Sequence, residues 1–332
     1  MNAPSASGIP LIDLAPLADG GIAGARAIAP SLKTALEEIG FLIITNHGVP
    51  QDLIDATFAE ARRFHDQSLE DKLAVRMNED NNGYMAMARY NVRTSRVSED
   101  TALPDMNEAY FIKRERAADH PLVRAGWRFT GRNEWPAELP GFRETLLAYT
   151  EAVDALGRRL LPAIALALEL PPETFDAAFE ESHFSFRLSH YPPVPQQDRQ
   201  YGIAPHTDAN FMTFLAQSDV PGLQIQTGSD AWCDVPYVPG SFVVNTGDML
   251  HRWTNGRFCS TAHRALPPQD GHRYAIPYFL GPQLDAMIEC LPTCHSASNP
   301  PKFPPITYAD YVAWWYDANY PVADQEDIRV EA

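Results

Sequence analysis

Basic residues are scarce in this sequence. Its 332 residues contain 26 Lys and Arg against 43 Asp and Glu, which gives a formal net charge of -17 at pH 7. Such a chain repels polyanions, so its composition argues against non-specific binding to nucleic acid or to an anionic membrane surface. We therefore expect neither nucleic acid nor a membrane among its partners.

The sequence also lacks long apolar runs. No stretch reaches the ~18–20 consecutive apolar residues that span a bilayer. The first residues, MNAPSASGIPLIDL, lack the basic segment and apolar run of a secretory signal peptide. A cytoplasmic location is the expectation that follows.

Cysteines are too few for a disulfide framework in a chain of this length. They are Cys233, Cys259, Cys290 and Cys294. Because His295 follows directly, a small metal site at Cys290, Cys294 and His295 is an alternative, although free thiols are the simpler interpretation.

The composition is otherwise that of a globular protein. Hydrophobic residues make up 45% of the chain and charged residues 21%, which allows a sizeable core and is too little charge for a disordered chain. The length accommodates one large domain or two closely packed ones.

The first half of the sequence is rich in helical patterns. Apolar residues recur at helical spacing over 30–40, 51–77 and 141–170. Pro30 is the expected start of the first helix, and Pro162 is an expected kink in the last. Short strands are predicted within 8–17 and 41–49, whereas residues 80–135 show no clear pattern.

After residue 183 the pattern changes to short β-rich segments. They alternate with Gly, Pro, Asn and Asp: HFSFRLSHY, NFMTFLAQ, GLQIQ, AWCDVPYV, SFVVN, RFCSTAHRAL and HRYAIPYFL. Closely spaced strands without intervening helices predict a sandwich, a barrel or a jelly roll. An aromatic-rich helix is predicted over 308–320, where it would cover one end of the β-core or form a dimer contact.

His206 and Asp208, within PHTDANFMTF, can converge on one point. Residues two apart on a strand project from the same face, and His263 lies on another predicted strand. Two His and one carboxylate on a β-scaffold are typical of the facial triad of non-haem Fe(II) oxygenases. A zinc hydrolase, which also uses three ligands and an open position, is an alternative on this evidence.

The segment 187–280 resembles the isopenicillin N synthase-like branch of the 2-oxoglutarate/Fe(II)-dependent dioxygenase superfamily. The resemblance rests on LSHYPP, PHTDANFMTFLAQ, VPGLQIQ, VNTGDMLHRWTNGRF, STAHRA and RYAIPYF, in the family's order and spacing. IPLIDL, ALEEIGFLIITNHGVP and NNGY also resemble this family's N-terminal region. The resemblance implies an α+β fold: a double-stranded β-helix (jelly-roll) core flanked by helices, with an α-rich N-terminal region.

The resemblance also implies how the chain is organised. Residues 1–135 would form the N-terminal oxygenase-family region, as substrate lid or structural support, and 136–182 a long supporting helix. Residues 183–285 would form the Fe(II)/2-oxoglutarate catalytic core, and 286–332 a C-terminal loop and helix. The oligomeric state, monomer or homodimer, is left open.

The resemblance further assigns roles at the site. Three residues would bind Fe(II): His206, Asp208 and His263. Arg273 would bind the distal carboxylate of the cosubstrate 2-oxoglutarate, with Tyr191 and Ser189 as further cosubstrate contacts. The family motif is Arg-x-Ser, whereas this chain has Ala275 in place of the serine. Three explanations remain open: weaker 2-oxoglutarate binding, a compensating donor, or a different cosubstrate.

A small-molecule substrate would dock beside the metal in a largely apolar pocket. Its candidate contacts by motif position are Arg187, Phe211, His251, Trp253 and Phe279. The basic segment ARYNVRTSR is a further candidate, in which Arg89 and Arg93 would recognise an anion on the substrate; a solvated loop is the simpler interpretation. Replacing either arginine with Ala should then raise the KM for substrate.

The implied reaction uses Fe(II), 2-oxoglutarate and O₂ to oxidise a small organic molecule. The outcome would be hydroxylation, or oxidative dealkylation, desaturation or ring closure, with release of succinate and CO₂. One alternative is a 2-oxoglutarate-independent Fe(II) oxidase of the isopenicillin N synthase type. A second is a catalytically inactive ligand-binding relative, which failure to bind Fe(II) would favour.

Overall fold

The computed structural model describes residues 8–89, 103–195, 199–228 and 231–320. The helices in these ranges are α1 Ala15–Glu38, α2 Gln51–His65, α3 Leu69–Ala74, α4 Pro121–Arg124, α5 Phe142–Ala167, α6 Asp248–Trp253 and α7 Tyr308–Asn319. The strands are β1 Leu11–Asp13, β2 Phe41–Thr45, β3 Gly83–Met85, β4 Glu108–Lys113, β5 His183–Tyr191, β6 Ile203–His206, β7 Met212–Gln217, β8 Leu223–Gln226, β9 Trp232–Asp234, β10 Phe242–Thr246, β11 His263–Ala265, β12 Arg273–Gly281, β13 Met287–Ile288 and β14 Ile306–Thr307.

Two sheets form the core. The large sheet has eight strands in the order β1-β2-β10-β7-β12-β5-β4-β3, and the small sheet has four in the order β6-β11-β8-β9. Ile43 and Val243 of the large sheet pack in one apolar cluster with Leu223 and Ile225 of the small sheet. The two sheets therefore share a core, as a jelly roll requires.

The N-terminal half contributes strands that the sequence did not predict. β3 and β4 extend one edge of the large sheet, because β4 pairs antiparallel with β5. All six residues of β4 are buried, including the charged residues Glu108 and Lys113 at its ends. A strand covered on both faces shows no apolar–polar alternation, which is why β4 gave no strand pattern in the sequence.

The first helix begins earlier than predicted. α1 starts at Ala15 rather than at Pro30, and its backbone leaves helical geometry at Gly21 (φ 46°, ψ -129°). Pro30 lies inside the helix, between the buried side chains of Ile28 and Leu32. The free energy gained by packing the apolar face of α1, which includes Ile28 and Leu32, outweighs the loss of the backbone hydrogen bond that a proline removes.

The helix predicted over 51–77 is two helices, α2 and α3. The break falls at Ser68, whose Oγ accepts a hydrogen bond from Asp71 N at 3.1 Å and caps α3. The polar residues between the helices thus start a new helix rather than continue the first.

The long helix α5 supports the large sheet. It runs as one helix through Pro162. A Cβ atom at Gly157 would lie 2.6 Å from Leu280 Cδ2 of β12, so glycine permits the close approach of helix and sheet. No helix in the described ranges is both long and apolar enough to cross a bilayer.

Candidate active site

The three side chains predicted to bind a metal lie together. His206 ends β6 and His263 begins β11, and the two residues are cross-strand partners. Asp208 lies beyond the end of β6, although the spacing had predicted it on the strand. Its Oδ1 is 3.7 Å from His206 Nε2 and 3.6 Å from His263 Nε2.

Backbone carbonyls fix both imidazoles. His206 Nδ1 lies 2.8 Å from Ala204 O, and His263 Nδ1 lies 3.1 Å from Thr261 O. A ring whose Nδ1–H donates to a carbonyl presents the lone pair of Nε2, the form that binds a metal. Burial, together with the nearby His263, lowers the pKa of His206 to about 3, so this imidazole is neutral at pH 7.

Asp208 is held by two side chains that the sequence analysis missed. Thr213 Oγ1 and Asn245 Nδ2 both donate to Asp208 Oδ2, at 2.6 and 2.8 Å. Burial raises the pKa of Asp208, but His263, His206 and Asn245 lower it overall, so the carboxyl is ionised. In the sequence, Asn245 could have been noticed as a polar residue that follows the apolar run of the strand FVVNT.

The donor set fits a divalent iron ion. Two imidazole nitrogens and one carboxylate oxygen lie within 4.8 Å of one another, on residues that are all buried. This is the 2-His-1-carboxylate set of non-haem Fe(II) sites, in which the remaining coordination positions are open. The hydrogen bonds to Oδ2 leave Oδ1 as the oxygen that faces the two imidazoles.

The cavity beside these ligands contains a buried cation. Arg273 is 1% exposed, and its guanidinium carbon lies 4.8 Å from the centre of the Tyr191 ring. Its Nε and Nη1 have no hydrogen-bond partner among the described residues. Burial lowers the pKa of this guanidinium, as expected where a cation is poorly compensated. A carboxylate ligand would supply the bidentate partner that the cation needs.

Ser189 lies opposite the position where the family motif has its serine. Ala275 and Ser189 are cross-strand partners of β12 and β5, as are Arg273 and Tyr191. Side chains directly opposite each other in an antiparallel pair lie on the same face. Ser189 Oγ is buried and has no hydrogen-bond partner in the described ranges. A hydroxyl one strand away can therefore take the place of the one missing at Ala275.

A second cavity adjoins the first and shares Arg187, Asp208 and Phe279 with it. The guanidinium carbon of Arg187 lies 5.5 Å from the ring centres of both Phe111 and Phe279. Its Nη1 donates to Tyr320 Oη at 3.2 Å. A guanidinium flanked by aromatic rings suits a planar ligand that carries acceptor oxygens.

The C-terminal helix covers this second cavity. It contributes a largely aromatic wall together with the residue that follows it: Tyr308, Val312, Trp315, Tyr316 and Tyr320. Tyr316 Oη donates to Ser185 Oγ of β5 at 3.0 Å, which ties the helix to the large sheet. The sequence had left open whether this helix covers the β-core or forms a dimer contact, and the structure shows the first arrangement.

Three predicted substrate contacts lie away from both cavities. Phe211 and Trp253 pack against Phe175, with ring centres 5.5 and 5.3 Å from it. His251 Nδ1 lies 2.7 Å from Phe258 O, and its side chain borders a separate surface cavity. The packing around α6 directs these residues away from the site, which motif position could not reveal. Of the aromatic candidates only Phe279 lines the site.

The basic segment after β3 is described only in part. Arg89 is exposed and lines neither cavity. Arg93 and Arg96 lie outside the described residues. Among the described residues, Arg187 is the cation that lines both cavities.

A second cluster of metal-ligand types lies in the described chain, on the opposite face of β5: His65, Glu108 and His190. Glu108 already has a cation, because Lys72 Nζ lies 2.9 Å from its Oε2. His190 Nδ1 lies 2.8 Å from Glu108 Oε1. These contacts form a network that links α2, α3, β4 and β5, in which His65 Nδ1 lies 3.3 Å from Glu108 Oε1. The four cysteines form no disulfide, and Cys290, Cys294 and His295 are not among the converging metal-ligand groups of the described chain.

Two family models match the chain. The model of the 2OG-Fe(II) oxygenase superfamily matches residues 182–282. The model described as non-haem dioxygenase in morphine synthesis N-terminal matches residues 9–138. The two matches cover the β-rich core and the region before α5.

Curated relatives are similar over most of their length. The 2-oxoglutarate-Fe(II) type oxidoreductase hxnY of Emericella nidulans is 34% identical over 320 residues, which cover 94% of this chain and 90% of that protein. Kihadalactone A synthase LFS of Citrus sinensis is 36% identical over 297 residues, or 86% of each chain.

Solved protein structures are also similar to this chain. A full-length Neurospora crassa protein in complex with alpha-KG and thymine has a TM-score of 0.81 and 27% identity and covers 94% of this chain and 98% of that chain. JOX2 in complex with 2OG, Fe and JA has a TM-score of 0.77 and 30% identity, covering 92% and 84%. The predicted jelly-roll fold and the predicted Fe(II), 2-oxoglutarate and O₂ dependence are confirmed. The chain therefore belongs to the isopenicillin N synthase-like branch of the 2-oxoglutarate/Fe(II)-dependent oxygenases and is an oxygenase of small organic molecules.

Proposed function

We propose that His206, Asp208 and His263 bind the Fe(II) of this oxygenase. The observation that carries the assignment is the convergence of both Nε2 atoms on Asp208 Oδ1, at 3.7 and 3.6 Å. Bound Fe(II), with 2-oxoglutarate and O₂, supplies the oxidising power for C–H oxidation, with release of succinate and CO₂. Thr213 and Asn245 keep Asp208 oriented through its other oxygen.

Arg273 and Tyr191 are the proposed anchors of the distal 2-oxoglutarate carboxylate. Arg273 offers two buried N–H groups that no described residue accepts. Ser189 adds a hydroxyl opposite Ala275 and compensates for the missing motif serine. The alternative of a 2-oxoglutarate-independent oxidase rested on Ala275 alone. It loses that support if the Ser189 hydroxyl replaces the missing serine hydroxyl of the motif.

The Ser189 hydroxyl should contribute measurably to cosubstrate affinity. Replacing Ser189 with Ala is expected to weaken 2-oxoglutarate binding about 2- to 10-fold, the value of one hydrogen bond to a ligand. Adding Ala275→Ser to that variant should restore the loss, since the two positions are cross-strand partners. Anaerobic 2-oxoglutarate titration of the Fe(II) enzyme measures both effects. Equal affinity in Ser189→Ala and the wild type would contradict the compensation.

The proposed substrate is a small, planar molecule that carries carboxylate or carbonyl oxygens. Its site is the cavity where Arg187 lies between Phe111 and Phe279 and where α7 provides aromatic cover. Aromatic walls favour flat apolar rings, and the guanidinium favours acceptor oxygens. Thymine, the ligand in the Neurospora crassa complex, is a molecule of this kind.

Arg187 should determine substrate affinity without affecting cosubstrate use. Replacing Arg187 with Leu is expected to raise the KM for substrate about 30-fold or more, as for a buried charged contact. Turnover of 2-oxoglutarate in the absence of substrate should stay close to the wild-type rate. Succinate release, measured with and without a substrate found by screening planar acids and oxo-heterocycles, separates the two effects.

Arg89→Leu is the matched control for Arg187→Leu. Arg89 is exposed and lines neither cavity, so its replacement should leave the KM unchanged. A raised KM in Arg89→Leu or Arg93→Leu, together with an unchanged KM in Arg187→Leu, would indicate that the basic segment binds the anion of the substrate.

The first test of the proposed function is an anaerobic Fe(II) titration with and without 2-oxoglutarate. Chelation of Fe(II) by 2-oxoglutarate gives a weak visible charge-transfer band. Appearance of that band in the wild type supports the assigned ligands and cosubstrate. Iron binding without a band would reject Arg273 as the cosubstrate anchor and favour the oxidase.

A further inference from the structure

His183 lies at the end of the substrate cavity remote from the cosubstrate. It begins β5 and lines the same cavity as Ser185 and Arg187 of that strand. Residues two apart on a strand share a face, so His183, Ser185 and Arg187 form a polar row along one side of the cavity. Continued along the strand, the row reaches Ser189 and Tyr191 at the cosubstrate end.

The imidazole of His183 is buried without a hydrogen-bond partner. His183 is 2% exposed, and neither its Nδ1 nor its Nε2 has a hydrogen-bond partner among the described residues. Its ring neighbours are aromatic: the centres of Phe129 and Tyr308 both lie 6.1 Å away. Buried polar atoms are normally paired, so two unpaired nitrogens on a cavity wall indicate a ligand or water as their partner.

The surroundings of His183 keep the ring neutral. Burial, followed by the positive charges of Arg116, Lys113 and Arg114, lowers the pKa of His183 well below its usual range. A neutral imidazole has one N–H donor and one acceptor nitrogen. The two guanidinium groups, of Arg116 and Arg114, disfavour a positively charged ligand group at this end of the cavity.

We propose that His183 is a specificity-determining residue that hydrogen-bonds an uncharged or anionic polar group at the end of the substrate remote from Arg187. This inference rests on the proposed function of the cavity. His183 and Arg187 are four residues apart on one strand, so their Cα atoms are separated by about 13 Å. That span suits a substrate of one or two rings with a polar group at each end.

Two matched pairs of probes test the inference. Each pair has an acid for Arg187 and differs only in a hydroxyl at the far end of the ring: 4-hydroxybenzoate with benzoate, and 6-hydroxy-2-naphthoate with 2-naphthoate. Binding to the anaerobic Fe(II)–2-oxoglutarate enzyme is measured through the charge-transfer band and tryptophan fluorescence, since Trp315 lines the cavity. The wild type is expected to prefer the hydroxylated member of at least one pair about 10-fold, or about 1.4 kcal/mol.

Two variants identify His183 as the source of that preference. His183→Leu should reduce it to near unity while leaving affinity for the unsubstituted acid unchanged, and His183→Gln should keep part of it. An unchanged preference in His183→Leu, no preference in the wild type, or no binding of any probe would each overturn the inference. An unchanged preference in His183→Leu is also the result expected if His183 has only a structural role and forms its hydrogen bonds with water.

The cosubstrate band separates this inference from the proposed function. If no band forms when 2-oxoglutarate is added to the wild-type Fe(II) enzyme, the proposed function fails before any probe is used. If the band forms in the wild type and in both variants, the proteins are folded and loaded. The probe preferences then test only the proposed role of His183 in specificity.

Discussion

Replacing Arg273 with Leu is expected to weaken 2-oxoglutarate binding so far that a concentration just sufficient to saturate the wild type leaves most of the variant unbound. The buried guanidinium is the proposed partner of the distal carboxylate, and removing one member of a buried charge pair costs about 2–5 kcal/mol of binding, roughly 30-fold or more. At that concentration the charge-transfer band should therefore be much weaker in the Arg273→Leu variant, although Fe(II) still binds.

The same variant should respond differently to heat. At 100 times its Kd, a ligand stabilises a folded protein by about 2.7 kcal/mol, whereas after a roughly 30-fold loss of affinity the same concentration contributes about 1 kcal/mol or less. 2-Oxoglutarate should therefore raise the Tm of the wild type much more than that of Arg273→Leu. Without 2-oxoglutarate, the variant should be at least as stable as the wild type, because a buried cation with unpaired N–H groups is unfavourable. Thermal unfolding with and without cosubstrate measures both changes.

Arg257→Leu is the control for the loss of a positive charge. Arg257 pairs with Glu37 and Glu169 and lines neither cavity of the active site. Its replacement should leave the charge-transfer band and the thermal shift with 2-oxoglutarate as they are in the wild type. A band of normal affinity in Arg273→Leu would show that another residue binds the cosubstrate.

Replacing Asp208 with Ala is expected to remove both iron and activity. Asp208 supplies the carboxylate of the proposed triad, and losing even an outer partner of a metal ligand costs about 10- to 100-fold in metal affinity. Losing the ligand itself should therefore weaken Fe(II) binding by at least ~100-fold. Anaerobic iron titration and succinate release measure the two losses independently.

Asp154→Ala is the matched control, because Asp154 is also a buried carboxylate. It pairs with Arg114 and Arg158, each at 3.1 Å, and lines neither active-site cavity. Its replacement should lower the free energy of unfolding and leave iron affinity unchanged. If Asp208→Ala kept its iron, the triad assignment would be wrong, whatever its effect on stability.

The family and the candidate metal ligands could be identified without the structure. His206, Asp208 and His263 stand in motifs whose order and spacing are specific, and Arg273 and Tyr191 follow from the same motifs. The β-rich segments after residue 183 and the long helix α5 were also predictable, because their strand and helix periodicities continue over many residues. These features depend on residues close together in the chain or on a shared motif.

The surroundings of the candidate metal ligands could be seen only in the folded chain. Pairing of β5 with β12 places Ser189 opposite Ala275, and pairing of β4 with β5 places Phe111 beside Arg187. α7 brings aromatic residues from the end of the chain over the cavity. These neighbours come from distant parts of the sequence, so no local pattern could predict them.

Packing also decides which of the candidate substrate contacts lie at the cavity. Phe211 and Trp253 stand in family motifs near the metal ligands, yet they pack into the core. His183 carries no motif and still lines the cavity, because alternation along β5 gives it the same face as Arg187. Sequence motifs indicated the shared chemistry of iron and cosubstrate, whereas the packing of distant elements shaped the cavity proposed to bind the substrate.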